Sequence, residues 1–218
     1  MNSPAQRLPR TIGLGALLLA GLLALAFLLV GVRSRTVHKV SLPVYGQVGD
    51  FTLTNQDGAS VSLRDLRGKV WVADIIFTRC AGPCLRMSGQ MKDLQDALPP
   101  GGGAQLVSLT TDPGFDTPAV LRKYGGRFGA DPARWTFLTG TQDEIGKLAV
   151  GGLKLSAVER PPAERQSAAD LFVHSTIFVA VDKQGRLRGI FETGGEGISW
   201  NAEKRKILAA ISELEREP

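Results

Sequence analysis

Apolar and polar positions follow three rhythms along this 218-residue chain. The first is no rhythm at all. Thr11 to Val32 is a run of 22 residues without a charge, rich in Leu and Ala. About 20 apolar residues span the hydrocarbon core of a bilayer, whereas a signal-peptide core has roughly 7–15. Ala24-Leu25-Ala26 has the form of a cleavage tripeptide, but Phe27-Leu-Leu-Val30 continues the apolar run beyond it. The pattern predicts a retained, single-pass anchor in the lipid bilayer over residues 11–32, behind a short tail of residues 1–10.

Beyond the anchor the pattern switches between strand and helix periods. Residues 33–48 read as a linker, with Pro43 and Gly46 against any helix. Residues 49–218 read as one domain. Phe51-Thr-Leu-Thr54 and Ser60-Val-Ser62 flank Asn55-Gln-Asp-Gly58, a hairpin signal. Leu63 to Lys69 is a short turn-like element. Val70 to Phe77 is an almost continuous run of strand formers, as in a strand buried on both faces. Cys84 to Leu98 has helical spacing and is stopped by Pro99-Pro-Gly-Gly-Gly103. Gln105 to Thr110 is the next strand. Thr117 and Pro118 then serve as N-cap and first-turn proline of a helix carrying Val120, Leu121, Tyr124 and Phe128. Trp135–Leu138 predicts a strand and Gln142–Val150 a short helix. Glu159 to Asp170 is polar and reads as an exposed loop. Ser175–Val181 and Leu187–Glu192 form strands around the turn Asp182-Lys-Gln-Gly185, and Asn201–Glu215 forms a closing amphipathic helix. Alternation of this kind calls for an α/β fold, a mixed sheet with helices on both faces.

Charge refines the picture. The formal net charge is +5, but Arg7, Arg10, Arg33, Arg35 and Lys39 stand in residues 1–39 without an acid. Of the 26 basic and 21 acidic residues, 21 of each sign remain for residues 40–218. The excess flanks the apolar run, where cations meet lipid headgroups. No basic stripe with interleaved aromatics exists, so no nucleic-acid partner is expected. Basic residues are slightly more numerous after the anchor than before it. Counted alone, this would leave the domain in the cytoplasm. The chemistry of the cysteines calls for the opposite, oxidising side of the inner membrane.

Only two cysteines occur, in Cys80-Ala-Gly-Pro-Cys84, between the long buried strand and the next helix. That placement points to a thioredoxin-like fold. A structural bridge closing so short a loop would stabilise little. A helix N-terminus, with Arg79 and Arg86 nearby, favours the thiolate, which attacks disulfides and binds soft metals. A structural zinc site usually takes four Cys or His ligands, which would call on every one in this chain, whereas Cu(I) accepts two thiolates and one nitrogen, which suits the inventory better. In a thioredoxin-like fold the loop carrying His174 faces the cysteines, which makes His174 the candidate nitrogen ligand. His38, in the linker, reads as a solvated residue. Met87 and Met91 read as core filler. Asp74, six residues before Cys80, is either a proton-relay carboxylate or a strand-edge acid paired with a nearby base.

These blocks together resemble the Sco/SenC family of copper chaperones and thiol reductases for cytochrome oxidase assembly. Phe77-Thr-Arg-Cys80 with Cys84, Thr111-Asp-Pro113 with Asp116-Thr-Pro118, Tyr124, Trp135-Thr-Phe-Leu-Thr-Gly140, and Val173-His-Ser175 with Asp182 and Gly185 carry the likeness. It runs from about Gly49 to the C-terminus. It implies one copper held by Cys80, Cys84 and His174, and a domain facing the periplasm or its equivalent. It also implies a recipient that is a copper-site protein such as a cytochrome oxidase subunit. Ala81 stands where that family commonly has proline, and Gly82-Pro83-Cys84 is instead the ending of a thioredoxin motif. Two readings therefore stay open. One is a metallochaperone for Cu(I), with the nitrogen ligand admitting Cu(II) as well. The other is a membrane-tethered thiol–disulfide oxidoreductase without a stable metal, with Cys80 attacking and Cys84 resolving. A peroxide-reducing enzyme is disfavoured, since no Pro-x-x-x-Thr-x-x-Cys arrangement surrounds Cys80.

Overall fold

Trp71 to Ile76 forms the central strand, and every one of its residues is buried. The computed structural model describes residues 15, 19–23, 25, 41–80, 82–99, 101–159, 161–164 and 172–218. Most of the expected anchor, residues 11–32, lies outside them. Among the described residues no helix is long and apolar enough to cross a membrane. The chain divides into two units, Met1–Ser41 and Leu42–Pro218, and the second holds the sheet and the cysteines.

Strands β1 (Gly46–Gln47), β2 (Thr52–Asn55) and β3 (Ser60–Ser62) lead to helix α1 (Leu63–Leu66). Strand β4 (Trp71–Ile76), helix α2 (Pro83–Ala97), strand β5 (Gln105–Thr110), helix α3 (Pro118–Arg127) and strand β6 (Trp135–Thr139) come next. Helix α4 (Gln142–Gly146) widens into a π-helical turn, Lys147–Gly152. Strands β7 (Ala157–Glu159), β8 (Phe172–His174), β9 (Ile177–Val181) and β10 (Arg186–Glu192) precede helix α5 (Trp200–Arg216). The main sheet runs β1-β10-β9-β4-β5-β6-β2-β3, with β4, β5 and β6 parallel and the other pairs antiparallel. This is the mixed α/β sheet that the sequence predicts.

Two apolar layers explain why β4 tolerates no exposed face. Val70, Val72 and Ile76 join residues of α2, α3 and α5 in one cluster. Trp71, Ala73 and Ile75 join residues of α1, α4 and the π-helical turn in the other. Each fully buried large apolar side chain contributes about 1.5–3 kcal/mol, so a strand shared by both layers is the natural rigid base for a site at its end. Asp74 alternates onto the first face and is fully buried there.

Three segments differ from the sequence expectation. Residues 42–48 are not a loose connection, because Gly46 and Gln47 pair with Leu187 and Arg186. Arg188, 1% exposed, donates to the carbonyls of Leu42 and Pro43 and bonds Asp182 (2.8 Å) and Glu217 (2.6 Å). Residues 157–159 and 172–174 form a separate two-stranded sheet, with Ala157 opposite His174. The expected Gln142–Val150 helix loses α geometry after Gly146, where Leu153 N–H reaches back five residues to the Leu148 carbonyl.

Candidate metal centre

The chain leaves β4 at Ile76 and turns at once. Cys80 N–H donates to the Phe77 carbonyl at 3.1 Å. Gly82 is the N-cap of α2 and Pro83 opens its first turn, where a missing N–H costs nothing. Cys84 therefore lies in the first turn of α2, inside the core. Phe77 N–H donates to its Sγ at 3.4 Å. Cys84 is 0% and Cys80 5% exposed, and both are thiols. The two side chains are hydrogen-bonded to each other.

That contact changes the expected electrostatics. The hydrogen bond that Cys84 donates to Cys80, and then burial, push the Cys84 thiol well above the ordinary range, and the charges of Cys80 and Asp74 add to the effect. The Phe77 N–H opposes them without winning. The thiolate-favouring helix terminus expected from sequence is thus outweighed at Cys84, because the thiol sits in the apolar layer rather than at the solvent end of the helix. Nor is Arg79 aimed at the thiols. Its guanidinium is paired with Asp112 and lies 4.3 Å from the ring centre of Phe115.

Beneath Cys84 is a buried polar group that sequence reasoning did not assign. Tyr124 Oη and Ser88 Oγ lie 2.8 Å apart, and the phenol also donates to the Cys84 carbonyl at 3.5 Å. Burial holds the Tyr124 phenol above its ordinary pKa, and the charges of Cys84, Asp74 and Cys80 reinforce this. In the sequence Tyr124 stood out as an apolar-face position and as part of the family likeness, with no role for its hydroxyl.

A second unassigned group lies on the other side of the cysteine loop. Asp116, fully buried, accepts from Thr78 N–H (3.0 Å), the Thr78 hydroxyl and the Thr110 hydroxyl (2.5 Å). Burial raises its pKa, and the bonds from Thr110 and Thr78 oppose the shift.

His174 ends β8; its side chain lies outside the described residues, as do residues 165–171. Its backbone position is set by the register. Val179 pairs with Ala73, so the chain before Ile177 runs beyond the end of β4 that carries the cysteines. Met87 and Met91 are fully buried in the core, as expected of filler. His38 lies outside the described residues.

A dithiol at this strand–helix junction, with the Thr78 and Asp112–Asp116 blocks around it, can be compared with known proteins. The SCO1/SenC family model matches residues 44–209. This chain belongs to the SCO1/SenC family. The SCO1 protein homolog of Bacillus subtilis (strain 168) is 35% identical over 152 residues, 69% of this chain and 76% of that one. BsSco, described as a Sco-family cytochrome c oxidase assembly protein with a disulfide switch, is 30% identical in structure alignment. Its TM-score is 0.67, covering 82% of this chain and 99% of that chain. Yeast Sco1, solved with copper bound, is 25% identical with a TM-score of 0.62, over 77% and 89% of the two chains. The thioredoxin-like architecture is thus that of Sco proteins.

Proposed function

We propose that this protein binds one copper ion as cargo through Cys80, Cys84 and His174 and passes it to a copper-site protein such as a cytochrome oxidase subunit. The observation that carries this reading is the pair of buried, mutually hydrogen-bonded thiols at the end of β4. Two soft sulfur donors already in contact suit Cu(I), and an imidazole would complete a three-ligand set that also admits Cu(II). Loading needs the reduced pair and expels its protons, so redox state gates uptake. The copper-bound yeast relative and the assembly role of the Sco family support the same reading.

Residues 11–32 anchor the chain in the inner membrane in this proposal, with the domain in the periplasm or its equivalent. Support comes from the 22-residue uncharged run and from the redox chemistry, which suits an oxidising compartment. A C-terminal alkaline phosphatase fusion should be active; an inactive, stable fusion would put the domain in the cytoplasm.

A second reading is favoured by the same thiol contact and by the buried acid Asp74 near it. Here the protein reduces a partner's disulfide. Cys80 thiolate attacks, forms a mixed disulfide and releases one partner thiolate. Cys84 then displaces the second, leaving Cys80–Cys84 oxidised and the partner reduced by two electrons. BsSco, with its disulfide switch, lends this reading weight.

A Cu(I) titration of the reduced chain separates the two. Stoichiometric binding of one copper, weakened in His174→Ala and abolished in the Cys80→Ser/Cys84→Ser double variant, is the expected result. Absent tight binding, or binding indifferent to His174, would leave the dithiol as a redox pair.

A further inference from the structure

The block Asp112-Pro-Gly-Phe-Asp116 has no role yet in either reading, although it touches the cysteine loop at two successive residues. Asp112 takes Arg79, through Nε at 3.0 Å and through Nη2. Asp116 takes Thr78, through both its backbone N–H and its hydroxyl. Thr78 and Arg79 are the two residues immediately before Cys80. The acids belong to one rigid turn, since Asp116 N–H donates to the Asp112 carbonyl at 2.8 Å. That turn is fixed to β5, because Thr110 Oγ1 donates to Asp116 and accepts from Asp112 N–H at 3.0 Å.

The bond types suggest more than a surface staple. Arg79 is about one-third exposed, so its ion pair with Asp112 is screened by solvent and contributes little. Asp116 is different. A carboxylate removed from water is costly unless its lone pairs are filled, and here three neutral donors fill them. Two of the three come from Thr78. A residue gripped at both backbone and side chain has little freedom left in its own dihedrals. Thr78 comes directly after Phe77, whose N–H donates to Cys84 Sγ and whose carbonyl accepts from Cys80 N–H. The position of Phe77 and Thr78 therefore fixes the approach of one cysteine to the other.

We propose that Asp116 is a positioning residue for the dithiol: acting through Thr78, it sets where Cys80 stands relative to Cys84, and so how readily the pair takes up a soft metal ion or closes to a disulfide. The proposal rests on the reading of Cys80 and Cys84 as a working pair, in either of its two forms. Groups that orient metal-binding residues from outside the ligand set typically change affinity by roughly 10–100-fold when removed.

The test uses the full-length chain and three variants. Asp116→Asn keeps the volume but removes the charge and one acceptor oxygen, which weakens the grip on Thr78. Thr78→Val removes the hydroxyl bond and leaves the backbone bond. Arg188→Ala weakens the fold at the opposite end of β4, where Val181 pairs with Trp71, without touching Asp116 or Thr78. Cu(I) affinity is read by competition with a chromogenic chelator, the dithiol–disulfide equilibrium in glutathione buffers, and fold stability by Tm of the metal-free protein. Asp116→Asn should lower Cu(I) affinity by about 10–100-fold and move the glutathione equilibrium by a similar factor, with Thr78→Val smaller in the same direction. Arg188→Ala should lower Tm and leave both other readouts within about threefold of the parent. If Asp116→Asn and Thr78→Val change Tm alone, the positioning role is wrong and the bonds are purely structural. A parent chain that binds no Cu(I) would remove the copper reading, and the glutathione equilibrium would then decide this proposal by itself. Should Asp116→Asn not fold, the proposal stands or falls on Thr78→Val against Arg188→Ala: only the former should move copper affinity and the glutathione equilibrium.

Discussion

Phe77 N–H points at Sγ of Cys84, 3.4 Å away and seven residues further along the chain. The first backbone donor beyond the central strand thus serves the second cysteine, while the Phe77 carbonyl serves the first. The dithiol is built on the end of β4, and the rest of the molecule holds that end still.

Tyr124 supplies part of this support from below. Tyr124→Phe keeps the ring contacts with Phe128 and Phe137 but leaves Ser88 Oγ and the Cys84 carbonyl without the phenol. Loss of a buried hydrogen bond costs about 1–3 kcal/mol when its partner stays buried. Urea unfolding should show a lower midpoint with an unchanged slope.

Gly125 makes a case where helix propensity and packing disagree. Alanine is better than glycine inside a helix by about 1 kcal/mol. A Cβ on Gly125 would meet Phe137 Cε2 at 2.7 Å, and that ring is stacked on Trp135. Gly125→Ala should therefore destabilise, by about 1–3 kcal/mol from overpacking. A rise in Tm would mean that the Phe137 ring moves freely.

Arg188 holds the segment that enters the domain and the segment that ends it. Replacing it with Ala would leave the buried Asp182 and the largely buried Glu217 with Arg186 beside them but one cation fewer, and the Leu42 carbonyl short of a donor. Breaking a buried ion pair from one side costs about 3–5 kcal/mol. Because Arg186 still compensates part of the charge, chemical denaturation should show a loss at or below the low end of that range, whereas Arg216→Ala, on the exposed end of α5, should show almost none.

Asp182 predicts the direction of the acid response. Burial pushes its pKa up, but bonds from the Arg186 backbone and the Arg188 and Arg186 side chains outweigh it and hold the carboxyl below its ordinary 3.8. A folded pKa below the unfolded one means that the stabilisation is full above pH 3.8 and is lost as pH falls through the folded value. Asp182→Asn should lower stability at neutral pH and flatten its decline below about pH 4. Parallel pH profiles for the two proteins would show that other carboxylates control acid unfolding.

The elements of the domain were legible wherever their signal was local. The apolar run into β4, the Thr117–Pro118 start of α3 and the hairpin around Asn55–Gly58 all depend on neighbours within a few residues. So did the placement of Cys80 and Cys84, because a strand ending and a proline-led helix beginning bracket them. β1 and the β7–β8 pair escaped, since strands of two or three residues carry no period and exist only through partners far along the chain.

The sequence by itself determined the strand–helix alternation, the junction that carries the two thiols and the family to which they belong. Tertiary structure alone decided what surrounds them. Asp116 and Thr78 are 38 residues apart, and Arg188 and Leu42 are 146 apart. The Cys84 thiol is raised rather than lowered because the fold buries it against Cys80 and near Asp74. Periodicity and capping report on the backbone nearby, whereas desolvation and long-range hydrogen bonds depend on which distant groups the packed sheet brings into reach.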